Sequence, residues 1–308
     1  MSSVALTGSK ILITGGTGSL GKELVKRFID YEPEKIIVFS RDEFKQSEMA
    51  KDFTEPNIRF FLGDVRDRDR LNQALSGVDY VVHAAALKQV PALEYNPEEA
   101  VKTNVNGSMN VIDACIYNKV KKCILISTDK AVNPINLYGA TKLCAEKLFI
   151  AANAYNKTSF SCVRYGNVIG SRGSVIPLFQ KLKEQGAKKL PVTSPDMTRF
   201  WITLDEAVDL VMIALMKTDM GKIIVPRAPA MSMADLARAI IPDCEIEVIG
   251  VRAGEKIHES LISEDSDNVV MVGNDSIYKT EPYTSDIAPM LTREEFLEKL
   301  KGKKDASE

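Results

Sequence analysis

The sequence predicts an α/β chain built on a doubly wound parallel sheet, with a smaller C-terminal α/β lobe. Three observations carry that prediction. Short β-branched runs alternate with segments of helical period. A glycine-rich turn follows the first of those runs. The alternation lapses after about Ser171, where prolines become frequent.

In chain order the strand candidates are Ile11-Leu12-Ile13, Ile36-Ile37-Val38-Phe39, Ile58-Arg59-Phe60-Phe61, Tyr80-Val81-Val82-His83, Cys123-Ile124-Leu125-Ile126 and Cys162-Val163-Arg164-Tyr165. Between them, Leu20, Leu24, Val25, Phe28 and Ile29 share one helix face, and a second helix pattern runs from Pro97 through Ile116. Such a sheet is covered on both faces and takes ligands at the carboxyl ends of its strands. Beyond Ser171, Pro177, Gly186, Pro191, Pro195, Pro226 and Pro229 interrupt the pattern. Short helices are expected over 205–217 and 232–241, with Asp205 and Ser232 as N-caps. The expected division is 1-170 for a Rossmann-type, ligand-binding domain and 171-308 mainly for a substrate-binding lobe, with some segments returning to the first sheet. The polar end after Lys301 is expected to fray.

The chain has 308 residues, 45% hydrophobic and 27% charged, with a formal net charge of -2. That is enough chain for a large core, and the charge offers no basic field for nucleic acid or anionic membrane. No apolar run reaches the roughly 20 residues of a membrane helix, and 1–10 lack a signal-peptide core. Cys115, Cys123, Cys144, Cys162 and Cys244 form no C-x-x-C pair and read as small core residues in a reducing, cytoplasmic compartment. His83 and His258 lack metal-site spacing, so no metal is expected.

Thr14-Gly15-Gly16-Thr17-Gly18-Ser19-Leu20-Gly21 joins the first strand to the first helix, with glycines at 15, 18 and 21. Here the backbone turns tightly and approaches a pyrophosphate, while the helix start offers N–H donors. Gly15, Thr17, Gly18, Ser19, Leu20 and Gly21 are therefore the expected cofactor loop. The second strand ends in Ser40 and Arg41, with Lys45 close behind. A hydroxyl and cations suit a ribose 2′-phosphate, which favours NADP over NAD. In the alternative, Arg41 is solvated and Asp42 takes the ribose. Asp64 and Val65 are placed against the adenine, and Ala84 and Ala85 let the cofactor lie close. Lys88 faces the cofactor or a sugar.

Tyr138 and Lys142, after the fifth strand, are one helical turn apart and share a face. A free phenol has a pKa near ~10, so a base at neutral pH needs positive charge beside it. Lys142 and a nicotinamide ring are the expected sources. Ser127-Thr128-Asp129-Lys130 lies just upstream, at a strand end. Lys130 can serve as a base only with its pKa lowered, by burial or a nearby cation. The bland alternative is a simple Asp129–Lys130 salt bridge.

The glycine loop combined with Y-x-x-x-K resembles the extended short-chain dehydrogenase/reductases, as do the rest of the N-terminal portion and Arg164-Tyr165-Gly166-Asn167. Thr128-Asp129-Lys130 narrows the resemblance, since dehydratases of that superfamily need an extra acid and base there. The retaining ones carry Thr-Asp-Glu at this place, and here Lys130 stands for the glutamate. Ala85-Ala86-Leu87-Lys88-Gln89-Val90-Pro91, the 127–142 stretch and Met197-Thr198-Arg199-Phe200-Trp201-Ile202-Thr203 look like the UDP-N-acetylglucosamine 4,6-dehydratase family that inverts C5. The resemblance covers roughly 8–262. It departs at Gln89, where the family pattern has histidine, and after Glu264.

By that resemblance, Lys130 handles the C5 proton, Asp129 assists loss of water, Tyr138 acts at O4 and Thr128 hydrogen-bonds O4. The resemblance also implies a UDP-sugar substrate, a homo-oligomer and a product for surface-glycan or pseudaminic acid synthesis. On the substrate side, Arg172 and Arg252 are expected at the diphosphate, Glu255 at the uridine ribose and Asn167 at the diphosphate or sugar. Ser174, Val175 and Thr193 complete that side with Lys88 and Lys130. Arg199 and Trp201 read as packing residues. The rivals are a UDP-sugar 4-epimerase, which shares Tyr138 and Lys142, and a non-catalytic NADP sensor.

Overall fold

Runs of β-branched and aromatic residues, buried on both faces, form the centre of the molecule. The computed structural model describes residues 6–171, 174–273, 276–278 and 281–302. Strands β1 (Lys10–Thr14), β2 (Lys35–Ser40), β3 (Ile58–Leu62), β4 (Tyr80–His83), β5 (Lys122–Ile126) and β6 (Ser159–Val163) are parallel and lie in the spatial order 3-2-1-4-5-6. Beyond β6 the sheet continues through Ile223–Pro226, Val269–Gly273 and an antiparallel edge strand, Ser276–Tyr278. The chain reverses its winding between β1 and β4, and that switch point opens the crevice where ligands bind in such sheets.

Helix Ser19–Ile29 buries Leu24, Val25 and Phe28 against this sheet, as its apolar stripe dictates. The run from Pro97 is not one regular helix. It is Pro97–Ala100, then a π-helical stretch Val101–Asn106, then Gly107–Tyr117. The widened turn carries Asn104, whose side chain accepts from Leu87 N–H at 2.8 Å and donates to Leu87 C=O at 2.9 Å, pinning the loop after β4. The expected strand at 162–165 starts earlier and stops at Val163, which frees Arg164 and Tyr165 at the carboxyl end.

The helix expected from an Asp205 cap is Leu204–Met216, capped instead by Thr203. The Thr203 hydroxyl accepts from Glu206 N–H, and the Glu206 carboxylate accepts from Thr203 N–H at 2.7 Å. Ser232 does cap Met233–Ile240. A second apolar cluster lies away from the main sheet. It gathers Ile176, Phe179, Leu190, Val192, Trp201, Leu236 and Phe296. Cys115, Cys123, Cys162 and Cys244 are buried and Cys144 is exposed, all as free thiols. Among the described residues, no helix is long and apolar enough to cross a membrane.

Arg164 fastens this frame beneath the strand ends. Its guanidinium makes a two-pronged contact with Glu146 (3.0 and 2.6 Å) and donates to Leu261 C=O at 2.7 Å. Both side chains are almost fully buried. Removing one partner strands the other charge, so Arg164→Met is expected to cost about 3–5 kcal/mol. Urea unfolding measures this, and a loss below about 1 kcal/mol would show the pair to be dispensable.

Candidate active site

A cavity of ≈ 1160 Å³ crosses the carboxyl ends of β1, β2, β4, β5 and β6. Its floor is the glycine loop. Gly15 has φ +66, and a Cβ there would meet Ala85 N at 2.8 Å, so only glycine lets β1 and β4 close together. The following helix has Gly18 at its N-cap with no side-chain cap, which leaves its first N–H groups facing the cavity. That donor set fits a pyrophosphate.

Gly15, Thr17, Gly18, Ser19, Leu20, Gly21, Ser40, Arg41, Lys45, Asp64, Val65, Ala84, Ala85 and Lys88 all line this cavity. At the β2 tip, Asp42 caps the next helix by accepting from Lys45 N–H at 2.9 Å, and it also pairs with Lys45 Nζ at 2.6 Å. Arg41 is about half exposed, with a guanidinium nitrogen 3.7 Å from Asp64 Oδ2. The carboxylate beside the tip is thus engaged by its own helix, while the half-exposed Arg41 guanidinium pairs with Asp64 at 3.7 Å.

Below the loop runs a buried hydrogen-bond chain. Ser108 donates to Asn104 C=O at 2.6 Å, so its oxygen accepts from His83 Nε2 at 3.2 Å. His83 Nδ1 then accepts from Thr14 Oγ1 at 2.7 Å, and that oxygen accepts from Ala85 N–H at 3.2 Å. Every member is satisfied only with a neutral imidazole. Burial, aided by the Lys142 charge, pushes His83 down to about 3.

The catalytic candidates converge on the other wall. Tyr138, Lys142 and Glu146 follow at four-residue spacing along helix Leu137–Ala152, so they form one stripe. Asn136 caps that helix through Gly139 N–H (2.8 Å) and donates to Gly254 C=O at 2.8 Å, tying it to the substrate side. A Cβ at Gly139 would overlap the Lys130 carbonyl, so the close seat of this helix against the 128–131 turn requires glycine. Thr128, Lys130, Tyr138 and Lys142 line the cavity. Asp129 does not: it is wholly enclosed behind them. Its Oδ1 accepts from Thr128 Oγ1 at 2.9 Å and from Lys130 Nζ at 3.0 Å, and its Oδ2 has no partner.

In the ligand-free site both Lys130 and Tyr138 hold their protons more tightly than in water. Lys130 is not shifted down. Burial acts in that direction, but the Asp129 and Glu259 carboxylates outweigh it and raise its pKa, so it rests as an ammonium. Tyr138 is likewise raised, chiefly by burial, against the pull of Lys130 and Thr128. The cation acting on the phenol is therefore Lys130. Lys142 is itself lowered to about 8 by burial, with Glu146 opposing.

Lys88, Lys130, Asn167, Ser174, Val175, Thr193, Arg252 and Glu255 line the same cavity, while Arg172 lies outside the described residues. Arg252 is mostly exposed, 4.0 Å from Glu255 Oε1. Arg199 also lines the cavity. Its guanidinium donates to the Thr198, Lys256 and Ile257 carbonyls at 2.7, 2.9 and 3.1 Å, which agrees with its reading as a packing residue. Sequence reasoning missed Glu146, Lys256 and Glu259. The i+4 step from Lys142 signals Glu146, whereas no local signal marks Glu259.

A family model described as polysaccharide biosynthesis protein matches residues 11–281. The chain belongs to that family. A Campylobacter jejuni serotype O:2 relative named UDP-N-acetylglucosamine 4,6-dehydratase (inverting) is 56% identical over 263 residues, 84% of this chain and 79% of that protein. A Rickettsia bellii relative named UDP-glucose 4-epimerase is 47% identical over 266 residues, 83% of this chain and 78% of that protein. Among solved structures, Pen from Bacillus thuringiensis superposes with a TM-score of 0.89 at 38% identity, covering 95% of this chain and 97% of that one. A dTDP-glucose 4,6-dehydratase, DesIV from Streptomyces venezuelae, shares the fold at TM-score 0.74 and 21% identity, over 80% of this chain and 86% of its own.

The depressed His83 pKa makes a stability prediction. Its folded value of about 3 lies below the ordinary 6.5. Between those values the unfolded chain binds more protons. The His83 contribution is complete above about pH 6.5 and falls with pH by about 1.4 kcal/mol per unit. His83→Asn is expected to show a correspondingly shallower acid decline in urea unfolding. Identical slopes would place a proton on the folded-state imidazole.

Proposed function

We propose that this protein is an NADP-dependent UDP-N-acetylglucosamine 4,6-dehydratase that inverts C5. The enclosed Asp129–Lys130 pair beside Tyr138 carries the reading, because C4 oxidation alone needs no such acid and base. The names of the Campylobacter relatives support it.

Tyr138 takes the O4 proton, with Thr128 holding O4, and Lys130 supplies positive charge to the phenolate. When bound, the nicotinamide accepts hydride from C4 and returns it to C6, so the reaction has no net redox change. Lys142 holds the nicotinamide ribose, and Arg41 with Ser40 and Lys45 holds the 2′-phosphate. The C4 ketone acidifies the C5 proton. Lys130 first passes a proton across 3.0 Å to Asp129 Oδ1, which makes an amine and a carboxylic acid without changing the net charge. The amine takes the C5 proton. The Asp129 proton reaches the departing O6 through the Thr128 hydroxyl, 2.9 Å away and open to the cavity. The C6–O bond breaks, water leaves, and the pair is again ammonium and carboxylate. The proton taken from O4 balances the one C5 regains, on the opposite face.

Arg252, Glu255 and Asn167 bind the UDP moiety, and 171–308 supplies most of that side. The enzyme is a cytoplasmic lyase whose product feeds pseudaminic acid synthesis. Exposed Met109 and Tyr117 on helix Gly107–Tyr117 support a homo-oligomer.

Pure protein with UDP-N-acetylglucosamine is expected to yield a product lighter by one water in mass spectrometry. An unchanged mass with a galacto-configured sugar would favour a 4-epimerase, the activity named for the Rickettsia relatives. Inertness with tight NADP binding would favour a sensor. Lys130→Met is expected to keep cofactor affinity and lose about 10²-fold or more in dehydration; normal turnover would exclude Lys130 as the base. Arg41→Ala is expected to weaken NADP about tenfold and leave NAD unchanged by calorimetry. Equal loss for both would refute the 2′-phosphate contact.

A further inference from the structure

Behind the cavity wall, Lys130 faces a second carboxylate. Glu259 immediately precedes strand Ser260–Ile262 and is 3% exposed. Its Oε1 lies 3.5 Å from Lys130 Nζ and 4.0 Å from Arg199 Nε, and its Oε2 lies 3.8 Å from Lys256 Nζ. No hydrogen bond satisfies Oε2. Neither Glu259 nor Asp129 lines the cavity, whereas the ammonium between them does.

Much of the local structure holds this acid in place. Glu259 N–H donates to Ser285 Oγ at 2.9 Å, and Glu259 C=O accepts from Ser285 N–H at 2.8 Å. Thr198 Oγ1 sits 2.6 Å from Ser285 Oγ and 2.8 Å from His258 Nδ1. Lys256 Nζ donates to Val132 C=O at 2.5 Å, joining this segment to the turn that carries Lys130. A buried ion cluster is a weak source of stability, since apolar side chains of similar volume serve as well. Its placement on Lys130, which joins this wall to the cavity, points to chemistry.

We propose that Glu259 is a positioning residue for dehydration. It anchors Lys130 from behind the wall and keeps the proton shared by Lys130 and Asp129 on the lysine until a sugar binds. The proposal rests on the dehydratase reading above. The groups facing Lys130 are the anions Asp129 and Glu259, the cations Arg199 and Lys256, and the Tyr138 phenol. His258 adjoins Glu259 in the chain and faces Thr198. Burial opposes the Lys130 charge and the two carboxylates restore it. Burial also pushes Glu259 up, against the pull of Lys130, Arg199 and Lys256. Without the Glu259 charge, one carboxylate would face three cations, and Lys130 would release its proton at lower pH.

The test is a pH titration of lysine Nζ signals by NMR in the full chain labelled with 15N-lysine. The Lys130 signal is identified by its loss in Lys130→Met. Glu259→Gln is expected to lower the Lys130 titration by about one unit or more, leave that of Lys142 in place, preserve NADP affinity and slow water loss. An unmoved Lys130 titration in the folded variant overturns the proposal, as does an equal shift of Lys142. Should Glu259→Gln not fold, Glu259→Asp sets the charge farther away; a smaller shift of the same sign is expected, and no shift overturns the proposal. The titration needs no turnover, so its failure is separate from that of the dehydratase reading, which falls if the unaltered protein removes no water from UDP-N-acetylglucosamine.

Discussion

A partly buried ammonium keeps its proton when carboxylates stand beside it, and Lys130 has two. The Asp129 contact at 3.0 Å and the Glu259 contact at 3.5 Å outweigh the burial that acts against this charge. The surrounding architecture serves that contact. Gly139 lets helix Leu137–Ala152 press against the Lys130 carbonyl, and Arg199 and Lys256 staple the 256–259 segment behind it. An ammonium beside an enclosed carboxylate is one proton shift from an amine beside an acid. That pairing is what an elimination across two carbons requires.

The parallel sheet places this pair where it can matter. Strands β1, β4 and β5 end on one edge, so the glycine loop, the Ala84-Ala85 segment after β4 and the turn that carries Lys130 open into a single cavity. The neutral His83 links Thr14 on β1 to Ser108 on the neighbouring helix, which keeps Ala85 against Gly15. One helix then presents Tyr138 and Lys142 to the cavity and Glu146 to the buried Arg164. The stripe that aims Tyr138 and Lys142 into the cavity is the same stripe that anchors them.

Short-range spacing made much of this legible. Six strands, the glycine turn and the Tyr138/Lys142 pair depend on residues within a few positions of one another, and periods of two or 3.6 expose them. The Thr203 cap was misplaced by two residues because Asp205 is as good a capping type, and only the Glu206 partnership decides between them. The π-helical stretch Val101–Asn106 carries no sequence period of its own. The charge state of Lys130 was not legible in the sequence. Its second carboxylate arrives from a distant segment, so proximity in the fold, not in the chain, sets its proton affinity. The enclosure of Asp129 was hidden for the same reason.

The central claim is that one cavity moves a hydride from C4 to C6 of a single sugar while the Asp129–Lys130 pair removes water. UDP-N-acetylglucosamine carrying deuterium at C4 tests it directly, with the product read by NMR. The account predicts a 6-deoxy-4-keto sugar whose C6 methyl group holds the label. Label retained at C4 of an undehydrated sugar, or absent from C6 of a dehydrated one, would contradict it.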